Sequence, residues 1–228
     1  MNRRKVAAIT IGQSPRTDMT ADSFARMPAD LELVEYGALD PYTLQEVAER
    51  FAPTGSDDEV LVSRMGDGSQ VRLSGRAVAK LLQSCIQQAE ADGAAATLLL
   101  CTGKFPEFSH SKPLITPMPL FHATARILAG GQKVAVLIPS PEQAEHSAAR
   151  WRESGVEAVM APASPYLDLG AVEQGAASLR DCGAALLCMD CMGYTVEMKR
   201  LAAAASGLPV LLPRTLMSAV VSEFLSLL

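Results

Sequence analysis

Apolar residues recur along the chain in two patterns, which predict alternating strands and helices. Short continuous apolar runs, such as residues 5–12 and 31–36, indicate strands covered by helices on both faces of a parallel sheet. Apolar residues spaced by three and four positions, as over residues 74–92, indicate amphipathic helices. The alternation of the two patterns predicts an α/β fold built on parallel sheets.

One segment of the first half departs from this alternation. Residues 59–64 and 70–73 flank the segment 65–69, whose glycines can supply the positive φ angles of a tight turn. This arrangement predicts a small antiparallel β-hairpin inserted into the first half of the chain.

The pattern of strand and helix starts again after Gly130 and Gly131, so the chain divides into two similar halves. A length of 228 residues allows one large α/β unit or two domains. We predict a first α/β domain over 1–117 and a second over 118–212, with a C-terminal helix, 213–228, that can return to the first domain. Further predicted helices cover 19–27, 44–51, 120–129, 141–154, 169–182 and 196–206, and further strands cover 97–101, 133–138, 156–160 and 208–212.

Composition and charge narrow the classes of function. The net charge of −5 argues against a nucleic-acid-binding surface. No apolar run approaches the roughly 20 residues of a membrane-spanning helix, and the N-terminus lacks the pattern of a signal peptide. We therefore expect a cytoplasmic protein with no membrane partner, whose five cysteines are thiols. A homo-oligomer is left open.

Two cysteines stand at matching positions in the two halves. Cys101 ends the apolar run 97–100, Cys191 follows the run that begins at Leu186, and a glycine comes two residues after each. Open α/β sheets bind ligands beyond the carboxyl ends of their strands, and a thiol at the start of a helix more readily becomes a thiolate. Two such thiols facing one carbon could remove a proton from one face and deliver a proton to the other.

Polar residues near these positions could bind the carboxylate of a substrate. The predicted binding residues are those of the loop after the first strand and those that adjoin the two thiols. They are Ser14, Arg16, Thr102, Gly103, Gly193, Tyr194 and Thr195. Hydroxyls, an arginine and the N–H groups of helix N-termini are suitable donors for an anion.

These motifs resemble the AroM family over nearly the whole chain. Leu100-Cys101-Thr102-Gly103, Cys191-Met192-Gly193-Tyr194-Thr195 and the loop 12–16 carry the resemblance. Through this family the chain is similar to the aspartate/glutamate racemase superfamily, which includes hydantoin racemases, maleate isomerases and arylmalonate decarboxylases. The resemblance implies two pseudo-symmetric Asp/Glu racemase-like domains, an active site in the cleft between them, Cys101 and Cys191 as the catalytic pair, and chemistry without a cofactor.

The motifs also differ from those of amino-acid racemases. In these racemases the first cysteine is commonly followed by Asn-Thr and the second by Thr-His or Thr-Glu, whereas Thr102-Gly103 and Met192-Gly193 stand here. The resemblance therefore does not extend to the contacts that recognise an amino-acid headgroup.

Three hypotheses of function follow. The first is a racemase or isomerase that acts on a small carboxylate, and the second is a ligand-binding or regulatory protein that has lost turnover. The third is a thiol redox protein, since Cys188 and Cys191 form a C-x-x-C pattern, although Cys188 falls inside the predicted strand. No metal site is predicted. Cys85, Cys182 and Cys188 are interpreted as core residues, Asp190 chiefly as a cap of the next helix, and His110 as a weak candidate for the site.

Overall fold

A computed structural model describes residues 3–24, 27–55 and 58–226. The described chain forms two compact units, one comprising the residues up to Pro117 together with those from Ser222 onward, and the other comprising Met118–Val221. The chain passes from the first unit to the second after Pro117. The C-terminal helix is divided, since its residues as far as Val221 belong to the second unit and the following ones to the first.

Unit 1 contains a parallel sheet and an antiparallel hairpin. Its elements in chain order are β1 (Arg4–Thr10), α1 (Thr17–Ser23), β2 (Leu31–Gly37), α2 (Leu44–Arg50), β3 (Val60–Arg64), β4 (Gln70–Ser74), α3 (Gly75–Ala91), β5 (Ala96–Leu99) and β6 (Leu114–Ile115). The parallel sheet has the order β2-β1-β5-β6, and β3 pairs with β4 in the hairpin. The predicted hairpin insertion is therefore confirmed.

The core of unit 1 lies between the sheet and α3. Ala7 and Ile9 of β1 pack in one apolar cluster with Val78, Leu82 and Ile86 of α3. The helix begins where the sequence predicts, because the side chain of Ser74 accepts the backbone N–H of Ala77 and so satisfies a donor of the first turn.

Unit 2 repeats the parallel arrangement without a hairpin. Its elements are α4 (Pro117–Ala129), β7 (Val134–Ile138), a 3-10 turn (Pro141–Gln143), α5 (Ala144–Glu153), β8 (Ala158–Pro162), α6 (Leu169–Ala177), β9 (Leu187–Met189), α7 (Val196–Ser206), β10 (Val210–Leu211) and α8 (Pro213–Ser226). Alternate residues of β7 face opposite clusters, since Ala135 and Leu137 belong to one and Val134, Val136 and Ile138 to the other. The sheet is thus buried on both faces, as its continuous apolar run predicts.

The two parallel sheets have the same strand order. Numbered along the chain within each unit, the order is second, first, third, fourth in both, with the hairpin left aside. The chain direction across the sheet reverses between the first and third strands, where α/β sheets commonly bind ligands at their carboxyl edge. In unit 1 these strands are β1 and β5, and in unit 2 they are β7 and β9.

Several element boundaries differ from the sequence-based prediction. The helix predicted over 120–129 begins at Pro117, because proline is accepted in a first helical turn, where its missing N–H leaves no bond unmade. The helix predicted over 169–182 ends at Ala177 and continues as turns. The two-residue strand β6 was not predicted. Residues 25–26 of the helix predicted over 19–27, residues 56–57, and residues 1–2 and 227–228 of the predicted domains lie outside the described residues.

None of the helices in the described part of the chain is both long and apolar enough to span a membrane.

Candidate functional site

Cys101 lies in a turn at the carboxyl end of β5. The preceding residue, Leu100, donates its N–H to the carbonyl of Ile9 on the adjacent strand at 2.7 Å. The chain then turns so that the N–H of Gly103 points at Cys101 Sγ, at an N–S distance of 3.3 Å. The thiol is half-buried, and Thr102 beside it is 5% exposed. A backbone N–H aimed at sulfur favours the thiolate over the thiol.

The hairpin packs against this turn. A Cβ added at Gly103 would lie 2.9 Å from Leu61 Cδ2 and 3.3 Å from Phe105 Cζ, closer than ordinary packing contacts. Leu61 belongs to β3, so the inserted hairpin supplies one wall of the surroundings of Cys101. The sequence predicts the hairpin but not its contact with the Cys101 turn.

The hairpin also holds the loop that follows β1. Gln13 donates its N–H to the carbonyl of Arg64 at 3.1 Å, and the side-chain oxygen of Gln13 accepts the N–H of Gly66 at 2.6 Å. A Cβ at Gly12 would collide with the Arg64 carbonyl and the Ser63 hydroxyl, so only glycine permits this close approach. The loop and the hairpin therefore form one structural element.

Ser14 and Arg16, both predicted to bind a carboxylate, make internal contacts. The N–H and hydroxyl of Ser14 each donate to the carboxylate of Asp40 at 2.7 Å. The guanidinium of Arg16 binds both carboxylate oxygens of Asp18 at 2.8 Å and donates to Ser63 Oγ at 3.1 Å, and the residue is 3% exposed. These bonds fix the loop, and a ligand carboxylate would compete with two aspartates for the same donors.

Cys191 occupies the equivalent turn of unit 2. Asp190, immediately before it, donates its N–H to the carbonyl of Leu137 on β7 at 2.8 Å, as Leu100 does toward β1. The N–H of Gly193 points at Cys191 Sγ at 3.3 Å, the same distance as in unit 1. The hydroxyl of Tyr166 lies 4.0 Å from the same sulfur, at the outer limit of a hydrogen bond to sulfur.

Two tyrosines build this turn in different ways. Tyr166 lies so close to Gly193 that an added Cβ would lie 2.6 Å from its hydroxyl oxygen and 2.7 Å from the nearest atom of its ring. Tyr194, predicted to bind substrate, is fully buried in the core, where its hydroxyl donates to the carbonyl of Ala163 at 2.5 Å. The side chain of Tyr194 thus anchors the segment that leads to Tyr166 and is not available to a ligand.

The N–H donors at the two thiols come from turns rather than from helix starts, contrary to the prediction. Cys101 is followed by a loop that continues to Pro113. Cys191 precedes α7 by four residues of turn, and Thr195 caps that helix, since its hydroxyl accepts the N–H of Met198 at 3.1 Å. The predicted contribution of a helix dipole therefore does not apply to Cys101.

The sequence predicts that Asp190 caps α7, but Thr195 caps this helix instead. Its carboxylate is buried and accepts hydrogen bonds from Trp151 Nε1 at 3.0 Å and Ser147 Oγ at 3.2 Å. Arg150 Nη2 lies 3.8 Å and His122 Nε2 lies 4.0 Å from the same oxygen. These residues, Asp190, His122, Ser147, Arg150 and Trp151, are called the Asp190 cluster below.

Within the Asp190 cluster, burial shifts the pKa of His122. Its ring is 1% exposed, stacks on Trp151 at a centroid distance of 3.8 Å and pairs through Nδ1 with Ser154 Oγ at 2.9 Å. Burial lowers the pKa of His122 to about 4, against the opposing attraction of Asp190 and with a smaller lowering by Arg150. The ring is therefore neutral at physiological pH.

Arg214, at the start of α8, also contacts the Cys191 turn and was not found from the sequence. It is 0% exposed, and its Nε and Nη2 donate to the carbonyl of Met192 at 3.0 and 2.8 Å. Nη2 also donates to the carbonyl of Gly193 at 3.0 Å. The sequence carries no signal for this role, because the partners of Arg214 are backbone carbonyls.

The remaining cysteines pack in or against the cores of the two units. Burial raises the pKa of Cys85 to about 11 and that of Cys188, inside β9, well above its ordinary value. Cys182 packs at the edge of the core of unit 2, and His110 is exposed with Nδ1 against the carbonyl of Lys112. Within residues 3–24, 27–55 and 58–226, no group of three or more His, Cys, Asp or Glu residues is arranged to hold a metal ion.

The fold of the chain is shared with solved structures of low sequence identity. Allantoin racemase from Pseudomonas fluorescens superimposes with a TM-score of 0.65 at 13% identity, covering 98% of this chain and 91% of that one. The aspartate racemase of Picrophilus torridus gives 0.62 at 12% identity, covering 97% and 94%. Arylmalonate decarboxylase gives 0.58 at 15% identity, covering 97% and 92%. These similarities define the class of fold, an α/β fold of the aspartate/glutamate racemase type.

The family is defined by the sequence itself. The model of the AroM protein family matches residues 6–225, so the chain belongs to the AroM family. No curated protein sequence matches it.

Proposed function

We propose that the protein is a racemase or isomerase that acts on a small carboxylate, with Cys101 and Cys191 as its acid/base pair. The observation that carries this proposal is the equivalence of the two thiols. Each follows the third strand of a sheet with the same order, and each accepts the N–H of the glycine two residues later at 3.3 Å. A matched pair of activated thiols is what proton transfer on two faces of one carbon requires.

The reaction is a transfer of protons without net oxidation or reduction. One cysteine, as thiolate, takes the proton from a carbon beside the carboxylate, and the electron pair of the broken C–H bond is delocalised into that carboxylate. The other cysteine, as thiol, then gives its proton to the opposite face of the carbon. The thiols supply and receive the protons, so the chemistry needs no cofactor.

The substrate carboxylate would be held beside the two thiols. Thr102 adjoins Cys101, and Thr195 adjoins the turn of Cys191 while its hydroxyl caps α7. Backbone N–H groups of the segments containing Gly103 and Gly193 complete the proposed anion site. Ser14 and Arg16 would contribute to it through exchange of their aspartate partners, and the core residue Tyr194 through its backbone alone.

The names of the similar structures support inversion at carbon over the alternatives. Two are racemases, of allantoin and of aspartate, and a third is a decarboxylase of arylmalonates. Loss of CO₂ from a malonate also leaves a carbanion beside a carboxylate, so decarboxylation is the neighbouring reaction that an assay should include.

A screen for solvent isotope exchange tests this function. The purified protein would be incubated in D₂O with small chiral carboxylates and with malonates, and mass spectrometry would detect deuterium at the carbon beside the carboxylate. We expect exchange with at least one compound, abolished in the Cys101→Ala/Cys191→Ala double variant. Exchange should be retained in Cys85→Ala, the control, since burial keeps that thiol protonated. Binding of a carboxylate without exchange would instead support a ligand-binding protein.

A further inference from the structure

The Met192–Gly193 peptide group lies between a buried cation and a candidate catalytic sulfur. Its carbonyl oxygen accepts two hydrogen bonds from Arg214, at 3.0 and 2.8 Å. Its N–H, on the other side of the same planar group, is the one that points at Cys191 Sγ at 3.3 Å. One peptide plane therefore connects the guanidinium to the thiol.

Charge-assisted hydrogen bonds to a carbonyl polarise the peptide to which it belongs. The carbonyl becomes more negative, the N–H becomes a stronger donor, and successive hydrogen bonds reinforce one another inside a protein. The effect is largest where water is excluded, and Arg214 is fully buried. A third bond, from Arg214 to the carbonyl of Gly193, fixes the next peptide and so keeps the N–H aimed at the sulfur.

We propose that Arg214 is a positioning residue that orients and polarises the Met192–Gly193 peptide, so that its N–H stabilises the thiolate of Cys191. Arg214 acts on the sulfur through this peptide and has no need to touch substrate. The inference rests on the proposed function for its role in catalysis, because it explains how Cys191 could give and receive protons.

A purely structural role makes a different prediction. If Arg214 only joins the start of α8 to the turn, its loss would loosen the fold and make Cys191 more reactive toward reagents. If it polarises the peptide, its loss would make Cys191 less reactive at neutral pH, because less of the thiol would be ionised. The direction of the change separates the two roles.

Site-resolved alkylation measures this direction. The intact protein is treated with iodoacetamide between pH 5 and 10, and the rates at Cys191 and Cys101 are followed by peptide mass spectrometry. In Arg214→Met, which keeps bulk without charge, we expect the Cys191 rate at pH 7 to fall by roughly threefold to tenfold and its pH midpoint to rise. Arg214→Lys, which keeps the charge but not the fork, should give an intermediate value.

Two controls accompany the variants. Cys101 lies in the other unit, so its profile should stay unchanged in every variant. Val221→Ala removes buried methyl groups from the same helix and should leave the Cys191 profile as it is in the parent. The inference is overturned if folded Arg214→Met shows an unchanged or faster Cys191, or if Val221→Ala produces the same change.

A measurement on the unaltered protein covers the case in which the arginine variants do not fold. In ¹⁵N-labelled protein, the amide proton of Gly193 should resonate downfield of that of Gly103, whose N–H makes the matching 3.3 Å contact. A Gly193 resonance at or upfield of that of Gly103 would contradict the polarisation. Neither measurement needs a substrate. The role of Arg214 can therefore be disproved while the proposed function stands, and the proposed function can be disproved while the role of Arg214 stands.

Discussion

Gly193, beside Cys191, has no room for a side chain. Its φ angle is not positive, so the backbone itself would accept alanine, but the new Cβ would lie within 2.8 Å of three atoms of Tyr166. We expect Gly193→Ala to destabilise the protein by about 1–3 kcal/mol, as overpacked substitutions do, measured by urea denaturation. The ring of Tyr166 would have to move away from the thiol.

Two comparisons test this explanation. Gly103→Ala should be milder, because its nearest contact is the terminal methyl of a flexible leucine at 2.9 Å. In a Tyr166→Ala background, Gly193→Ala should lose most of its effect, since the colliding ring is gone. Equal losses of stability with and without the tyrosine ring would show that the ring is not the cause.

Among single residues, the sequence identifies the two thiols but not the side chains that contact their turns. Cys101 and Cys191 are found because apolar runs end at them and a glycine follows each. Tyr166 and Arg214 approach Cys191 from 25 and 23 positions away, and the partners of Arg214 are backbone carbonyls, which leave no pattern in the sequence. The sequence also cannot show that Ser14 donates its hydrogen bonds to Asp40, or that Arg16 donates to Asp18.

The Asp190 cluster links α4, α5 and the end of β9, and it makes stability depend on pH. In the folded protein the pKa of His122 is lowered to about 4 by burial, whereas an unfolded histidine titrates near 6.5. Stability from this residue is complete above pH 6.5 and is lost as the pH falls from 6.5 to 4, because the unfolded chain then binds the extra proton. The loss approaches about 3 kcal/mol, since one pH unit corresponds to about 1.4 kcal/mol.

Replacing the histidine should flatten this dependence. We expect the free energy of unfolding of His122→Gln, measured by urea denaturation, to decline less between pH 6.5 and 4 than that of the parent. His110→Gln, at an exposed loop position, serves as the control and should keep the parental slope. A parental slope in His122→Gln would show that another group is responsible.

Elements with a local cause were predictable, and those that depend on distant partners were not. Helices α2 and α3 begin where expected, because each is capped by residues at most three positions apart. The caps are the capping box of Thr43 and Glu46 and the side chain of Ser74. Strand β6 has only two residues and is defined by its pairing with β5, so no periodic pattern in the sequence predicts it. The sequence indicates only a local capping role for Asp190, because its partners on α4 and α5 are 39 or more positions distant.

Over the whole molecule, the fold could be predicted from the sequence because the same pattern of alternating strands and helices occurs in both halves. The α/β class, the parallel sheets, the hairpin insertion and the membership of the AroM family were predicted and are confirmed. The matching strand orders place Cys101 and Cys191 at equivalent points of the two units. The repeat does not identify a substrate, because the residues after the two thiols differ, Thr102-Gly103 in one half and Met192-Gly193 in the other.

The central claim, that each thiol serves one face of a substrate carbon, is tested most directly by the stereochemistry of exchange in single variants. With a substrate found by the screen, Cys101→Ala and Cys191→Ala would each be given both stereoisomers in D₂O. We predict that each variant incorporates deuterium into one stereoisomer without inversion, the two variants choosing opposite ones, while interconversion falls by several orders of magnitude. Either alanine variant interconverting the stereoisomers at the parental rate would contradict the assignment of that cysteine.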